Sequence, residues 1–318
     1  MVRTLGNNRG IALVMVIWML VILVVLAAEL TVSAKSDVSA VRNFKEDRQA
    51  YFIAKAGVEM AFKEMLADSD YHYYLNGQLV FARHGDEASP PEFAPRDGIA
   101  LGGGLLSYAI RDGNEKLSLN ALAHNDGQLR LLFQILFPKG AKDGETAVDS
   151  IQDWVDADEL HRANGAESDY YETLDPPYRA KNGDFDTMGE LRKVKGISPE
   201  IYAALDNVVT AYPVSRLNPN TASETALVAE GMPPEKAAAL VKERASKGYV
   251  DTNAKSDLFI ITATGTFKGS KLTHTIRASV KKTGARSLAV LDWTDDHYQA
   301  ETADEGKGRG EQLAVPTP

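Results

Sequence analysis

The chain has 318 residues, with 35 basic against 44 acidic side chains, a formal net charge of −9, six histidines and no cysteine. That balance argues against broad nucleic-acid binding and against docking on anionic lipid. Without cysteine no disulfide can staple a loop, so any rigid loop must be held by packing, hydrogen bonds or metal. Residues 1–10 form a short leader whose only charges are Arg3 and Arg9, and the 18 residues of 11–28 are uncharged. A helix with snorkelling flanks crosses the hydrocarbon core at that length. The two arginines predict a single-pass membrane protein with its N-terminus cytoplasmic and the bulk of the chain outside the cytoplasm. The competing reading is a cleaved secretory signal, because Val32-Ser33-Ala34 looks like a small-residue cleavage site, but ordinary signal h-regions stop at ~15 residues.

Residues 29–67 contain no proline and one glycine, Gly57, and Val41, Phe44, Tyr51, Val58, Phe62 and Met65 recur at helical intervals. The spacing predicts that the membrane helix continues as one amphipathic rod of ~80 Å at 1.5 Å per residue. Beyond it the pattern turns extended. Leu79-Val80-Phe81, Leu105 onward to Arg111 and Lys116-Leu117-Ser118-Leu119-Asn120 read as strands, separated by a loop with Pro90, Pro91 and Pro95 and by the turn Asp112-Gly113-Asn114. Residues 125–244 then show helical periodicity, as in Leu129, Leu132, Phe133 and Leu136. Strand character returns at 258–264 and 273–280, with a last apolar run at 287–293. This order predicts an α+β fold: a small antiparallel sheet on the long helix, with a helical domain inserted between its strands. The predicted divisions are 68–120 and 257–293 for the two parts of the β domain, 121–256 for the insert, and 294–318 for a disordered tail rich in Gly and charge.

The insert carries the candidate chemistry. Asp149, Asp153, Asp156, Asp158 and Glu159 lie on or after a predicted helix, and Glu167, Asp169, Glu172 and Asp175 follow around Asn164-Gly165. Hard oxygen ligands in a glycine-containing loop suit calcium, although the spacing is not that of an EF-hand. From spacing alone a solvated acidic loop is the simpler account. His161 without cysteine or a second nearby histidine is a weak pointer to zinc. Leu191 to Ser198 and Ala229 to Pro233 each resemble the turn of a helix-hairpin-helix unit, a fold that often grips DNA phosphate, yet each has one Gly where DNA-binding versions usually show two. No phosphate-binding loop is present, since Gly102-Gly103-Gly104 runs into Leu105-Leu106, and no nucleophile, base and acid arrangement follows from the scattered histidines. The chain therefore reads as non-enzymatic.

Gly10 directly before the apolar run resembles the prepilin class of signal. Together with the long helix, Ile110-Arg111-Asp112, Asp153-Trp154-Val155-Asp156, Gly165-Ala166-Glu167 and Leu217-Asn218-Pro219-Asn220-Thr221-Ala222, the order of motifs resembles the K-type minor pseudopilins of type II secretion systems. Ser118 departs from the Asn expected there. The resemblance implies a pseudopilin fold and cleavage by a prepilin peptidase between Gly10 and Ile11, with N-methylation of Ile11. That would leave 33 basic against 44 acidic residues, a net of −11. It also implies a place in a tip complex with other minor pseudopilins, on the inner-membrane secretion platform, priming or capping the filament for export of folded proteins. Met15, fifth in the mature chain, stands where most pilins carry a Glu that meets the N-terminal amine of a neighbour. Its absence implies a subunit with none above it, although Met also simply suits a membrane helix. The family's calcium implies ligands among Asp156, Asp158, Glu167 and Asp169. Other readings are a minor pilin of a type IV pilus and a membrane-anchored helix-hairpin-helix DNA-binding protein.

Overall fold

The computed structural model describes residues 8–88, 95–140, 143–267, 269–270 and 272–299. The leader up to residue 7, Pro90 and Pro91 of the proline-rich loop, and the tail beyond residue 299 lie outside the described residues. The chain opens on one 59-residue helix, α1 (Asn8–Leu66), ~88 Å long at 1.5 Å per residue. Gly10 and Ile11 lie in its first turns. From Leu13 to Leu26 its large apolar side chains are exposed, and among the described residues it is the one helix long and apolar enough to cross a membrane.

Two strands follow, β1 (Tyr71–Leu75) and β2 (Gln78–Ala82), paired as an antiparallel hairpin. Asn76 and Gly77 turn the chain with φ of 51° and 75°, the positive values that favour Asn-Gly in a two-residue hairpin. Next come β3 (Ile99–Leu101) and β4 (Gly104–Asp112), and after a long excursion β7 (Leu258–Phe267), β8 (Leu272–Gly284) and β9 (Ser287–Gln299). These form a five-stranded sheet in the order β3-β4-β7-β8-β9, antiparallel throughout. The excursion contains β5 (Leu117–Ser118), α2 (Leu119–Ala123), α3 (Asp126–Leu136), α4 (Gly144–Val155), α5 (Ser168–Tyr171), α6 (Pro199–Val208), β6 (Val209–Thr210), α7 (Glu224–Ala229) and α8 (Pro234–Lys247). Serine or asparagine side chains cap four of these helices: Ser118, Asn125, Ser198 and Ser223 each accept from an amide of the first turn. The excursion leaves β4 at Asp112 and re-enters at Leu258, and Asp112 pairs with Phe259 across neighbouring strands. It is an insertion that starts and ends at one place, with a core of its own that includes Leu129, Leu132, Ile151, Trp154, Tyr171 and Leu205.

Three expectations need correction. Lys116 to Asn120 is not one extended piece: Leu117–Ser118 pairs in parallel with Val209–Thr210, and Ser118 then caps α2. The insert therefore begins near residue 113 rather than 121. The last strand continues past residue 293 to Gln299, because Asp292 to Gln299 pair with Ser279 and the strand before it, so the 294–318 tail loses its first six residues to the sheet. The buried face of α1 also differs. Val41 and Phe44 are exposed, whereas Ala50, Ile53, Ala54, Val58, Ala61 and Met65 are buried.

Small residues alternate with large ones on that face because helix and sheet lie very close. A Cβ on Gly57 would stand 2.6 Å from Leu106 Cδ1 and 3.0 Å from the Cβ of Ala263. A Cβ on Gly265 would collide with the α1 backbone at Ala50 O and Ala54 N. A second weld joins sheet and insert. Asp112, fully buried, accepts at Oδ2 from Asn218 Nδ2 (2.8 Å), Thr221 Oγ1 (2.6 Å) and Ser256 Oγ (2.7 Å), and at Oδ1 from Asn114 N (2.8 Å). Asn114 uses all its capacity: its amide donates to Arg216 O and Asp257 Oδ1, and its oxygen accepts from Asp257 N and Leu258 N. Buried His72 accepts from Ser256 N at 2.9 Å.

Two outcomes follow from these contacts. Gly265→Ala, which pushes on helix backbone, should destabilise by about 1–3 kcal/mol in thermal unfolding of the detergent-solubilised chain. Gly57→Ala, which meets the flexible end of Leu106 and gains helix propensity, should cost clearly less, and equal losses would contradict the close-contact account. Burial pushes the His72 imidazole down to about 3 from 6.5, so the folded state resists protonation and stability present above pH 6.5 is lost as pH falls toward 3. Asp112, raised by burial from 3.8 to about 6, acts in the opposite sense between those values. Replacing His72 with Asn, whose oxygen can accept the Ser256 amide, should remove the loss on acidification from pH 6.5 to 6; an unchanged melting profile would show that His72 is not its source.

Candidate metal centre

Helix α4 packs on its apolar face around Trp154, which meets Tyr171 edge-on at 5.3 Å and stacks on Phe185 at 6.3 Å. This anchoring fixes the last turn of α4 and with it two carboxylates three positions apart, Asp153 and the C-cap Asp156. Glu167, the residue before α5, brings a third. One oxygen from each of the three lies within 4.8 Å of the others. The loop between them is tied back to α4. Asp149 accepts from Asn164 N and Nδ2, both at 3.1 Å, and from Arg130 at 2.6 Å. Gly165 is where the loop passes over Asp153: a Cβ there would stand 2.7 Å from Asp153 Cγ and clash with Oδ2. Lys195 closes the far side by donating to Gly165 O at 3.0 Å.

The electrostatics disfavour negative charge at this place. Asp153 and Asp156 sit at the C-terminal end of a helix, where the peptide dipoles disfavour negative charge. Burial raises the Asp153 carboxyl above its usual range against the opposing pull of Arg162. Glu167 is pushed from 4.5 to about 8, first by burial and then by Asp153, Asp156, Glu159 and Asp158. Both Glu167 oxygens and Asp156 Oδ1 are buried without a hydrogen-bond partner, and Glu167 is 1 % exposed. An orphaned buried carboxylate among others is costly unless a cation meets it. The donor set is all hard oxygen, so the residues fit calcium better than zinc.

Of the four ligands expected from sequence, Asp156 and Glu167 are brought together and Asp158 and Asp169 are not. Asp158 caps Leu160 N at 2.8 Å, and Asp169 turns to Tyr170 N at 2.7 Å and toward His161, 3.7 Å away. Asp153 takes their place. The missed signal is Asp153 and Asp156 flanking Trp154-Val155, which sets both carboxylates at a helix end with the apolar anchor between them. Arg162, also missed, donates from Nη1 to Asp153 Oδ1 and Asp156 Oδ2, each at 2.6 Å. Met15 lies on the exposed part of α1, 65 % accessible.

The first hairpin turn faces inward, whereas the second, at Gly231, lies at the surface. A Cβ at Gly196 would stand 2.7 Å from Ala147 N on α4, and the amides around it donate within the fold: Lys195 N to Tyr171 OH, Ile197 N to Val194 O and Ser198 N to Gly196 O. At the second turn Gly231 N and Met232 N donate to Val228 O and Leu227 O. These amides are spent on packing rather than offered to phosphate.

With this geometry in place, the comparisons with known proteins are specific. Residues 115–214, which contain Asp153, Asp156, Arg162 and Glu167, match the family model of type II secretion system protein K. An Escherichia coli protein assigned as type II secretion system protein K is 27% identical over 84% of this chain and 83% of its own length. The protein K of Pectobacterium carotovorum is 28% identical over 77% of each chain, and that of Pseudomonas aeruginosa is 28% identical over 77% of this chain and 74% of its own. Along most of its length the chain is similar to type II secretion system K proteins. Its fold is that of a solved chain in the crystal structure of the GspK-GspI-GspJ complex from enterotoxigenic Escherichia coli, at TM-score 0.60 and 21% identity, covering 81% of this chain and 99% of that one. Long helix, antiparallel sheet and helical insert are the α+β pseudopilin architecture.

If a cation is what Glu167 lacks, Glu167→Gln should stabilise the chelator-treated protein at pH 9 by about 1–3 kcal/mol, the penalty for an unpaired buried acceptor. In saturating calcium the same variant should melt below wild type. A variant that is destabilised equally in both conditions would make Glu167 a structural residue instead.

Proposed function

We propose that this chain is a minor pseudopilin at the tip of a type II secretion pseudopilus, where it primes or caps the filament for export of folded proteins across the outer membrane. The observation that carries this reading is the match to protein K relatives along more than three-quarters of the chain. Its work is assembly rather than catalysis. The exposed apolar part of α1 is the piece that would sit in the inner membrane and then among neighbouring helices, with Arg3 and Arg9 holding the N-terminus in the cytoplasm. Prepilin peptidase would cut between Gly10 and Ile11 and methylate the new N-terminus. Met15 supplies no carboxylate for the amine of a subunit above, and a carboxylate there without that partner would be a lone charge in apolar surroundings. The insert, larger than the sheet it interrupts, is better accommodated at a filament end than in a closely packed shaft.

Partners on this reading are other minor pseudopilins, as the GspK-GspI-GspJ complex has for its own K chain, and the inner-membrane secretion platform. Calcium would be held by Asp153, Asp156 and Glu167, neutralising the α4 end and fixing the loop that no disulfide can clamp. When bound, the ion supplies charge neutralisation and oxygen coordination and no chemistry beyond that.

Mass spectrometry of the chain isolated from membranes should give a mature N-terminus at Ile11 carrying one methyl group; an intact leader or cleavage after Ala34 would overturn the assignment. Met15→Glu should lower secretion in a strain that depends on this chain, while Met15→Leu should not. Wild-type secretion by the Glu variant would remove the electrostatic argument for the tip.

A further inference from the structure

The three carboxylates do not face each other bare. Arg162 Nη1 donates to Asp153 Oδ1 and Asp156 Oδ2, both at 2.6 Å, and so lies between the two aspartates. It leaves Glu167 Oε1 and Oε2 and Asp156 Oδ1 without partners, so one guanidinium covers only part of the site. Arg162 is tied to the same place twice, because its backbone N–H also donates to Asp153 Oδ2 at 3.1 Å. The side chain itself is 38% accessible, whereas that of Asp153 is fully buried.

We propose that Arg162 is a resident counter-cation that a divalent ion displaces, and that it thereby sets how tightly the site binds. This rests on the reading of Asp153, Asp156 and Glu167 as a calcium site. A calcium ion collects six to eight oxygens at 2.3–2.6 Å. It cannot share Asp153 Oδ1 and Asp156 Oδ2 with a guanidinium nitrogen that already donates to both, because the two cations would repel at close range in a poorly screened site. The exposed side chain has solvent to swing into, and the backbone N–H bond to Asp153 keeps the loop in place as it leaves. The cation-free loop is thus held near its bound shape, at the cost of a competition that every incoming ion must win. A monovalent ion exchanges one charge for one and gains nothing; a divalent ion gains a charge and reaches the Glu167 oxygens that Arg162 leaves unpaired. Arg162 would then favour divalent over monovalent cations as well as setting affinity.

The test is calcium titration by calorimetry of the full chain in detergent, for wild type, Arg162→Gln and Arg162→Lys, each purified in calcium and stripped by chelator just before use. Removing one positive charge from the site should tighten calcium binding by about tenfold or more, while the Lys variant, which keeps the charge, should stay near wild type. Release of calcium after addition of excess chelator should be correspondingly slower in Arg162→Gln, a measurement that holds even if the stripped variant loses its fold. Equal or weaker binding by Arg162→Gln, with wild type binding calcium, would overturn the displacement proposal alone. No calcium binding by wild type would instead remove the site on which it rests.

Discussion

The contact on which the rest of the molecule depends is the close seat of α1 on the sheet. Ala50, Ala54, Gly57 and Ala61 on the helix face Ala263 and Gly265 on β7 and Leu106 on β4, and a methyl group at Gly265 would already strike helix backbone. Short separation between backbones leaves few rotamers to absorb motion, so dense packing transmits displacement directly. A helix that is bare toward its N-terminus and seated to this tolerance at its C-terminal third couples whatever holds the bare end to the folded domain. Glu64 extends the seat through an ion pair with buried Arg96, which also donates to Leu79 O at 2.9 Å. The β1–β2 hairpin is thereby drawn onto the same helix.

From that platform the insert leaves and returns through neighbouring strands, which is why a domain of this size can be added without disturbing the sheet. The Asp112, Asn114 and Asn218 bonds close the base of the insertion, and every polar atom named there has its partner inside the fold. The sequence motifs that carried the family resemblance have physical roles here. Asp112 and Asn218 with Thr221 form the base of the insert, and Asp153 to Asp156 with Gly165 to Glu167 form the carboxylate group. The first is saturated with hydrogen bonds and the second is conspicuously short of them. That contrast separates a structural weld from a group of buried carboxylates with unmet bonding capacity.

Much of this was legible from the chain alone. The long helix, the strand that precedes the insert, the return strands and the acidic segment all announce themselves through hydropathy period and composition. What was misread has definite causes. The stripe of large residues on α1 holds for Val58 and Met65, which are buried, but Val41 and Phe44 lie on the exposed stretch before the seat, and the stripe passed over Ala50, Ala54, Gly57 and Ala61, whose small size the close helix-to-sheet contact requires. Tyr71–Leu75 was not read as a strand, although Asn76-Gly77 is a strong local hairpin signal. The end of β9 is polar, with Asp292 and Asp295 exposed, so hydropathy stopped short of it. The expected ligands Asp156, Asp158, Glu167 and Asp169 came from the family resemblance and the glycine-containing loop, which favoured residues after the helix. Asp153 reaches the site only through the helical turn that Trp154 anchors, a tertiary fact invisible to spacing.

A bare apolar helix, a seat without slack, a bulky insert and the absence of a carboxylate at Met15 describe a subunit suited to a filament end. The most direct measurement is electron microscopy of isolated pseudopili in which this chain carries a C-terminal tag decorated with a dense label. The account predicts label at one end of each filament and nowhere else. Label repeated along the shaft would contradict it.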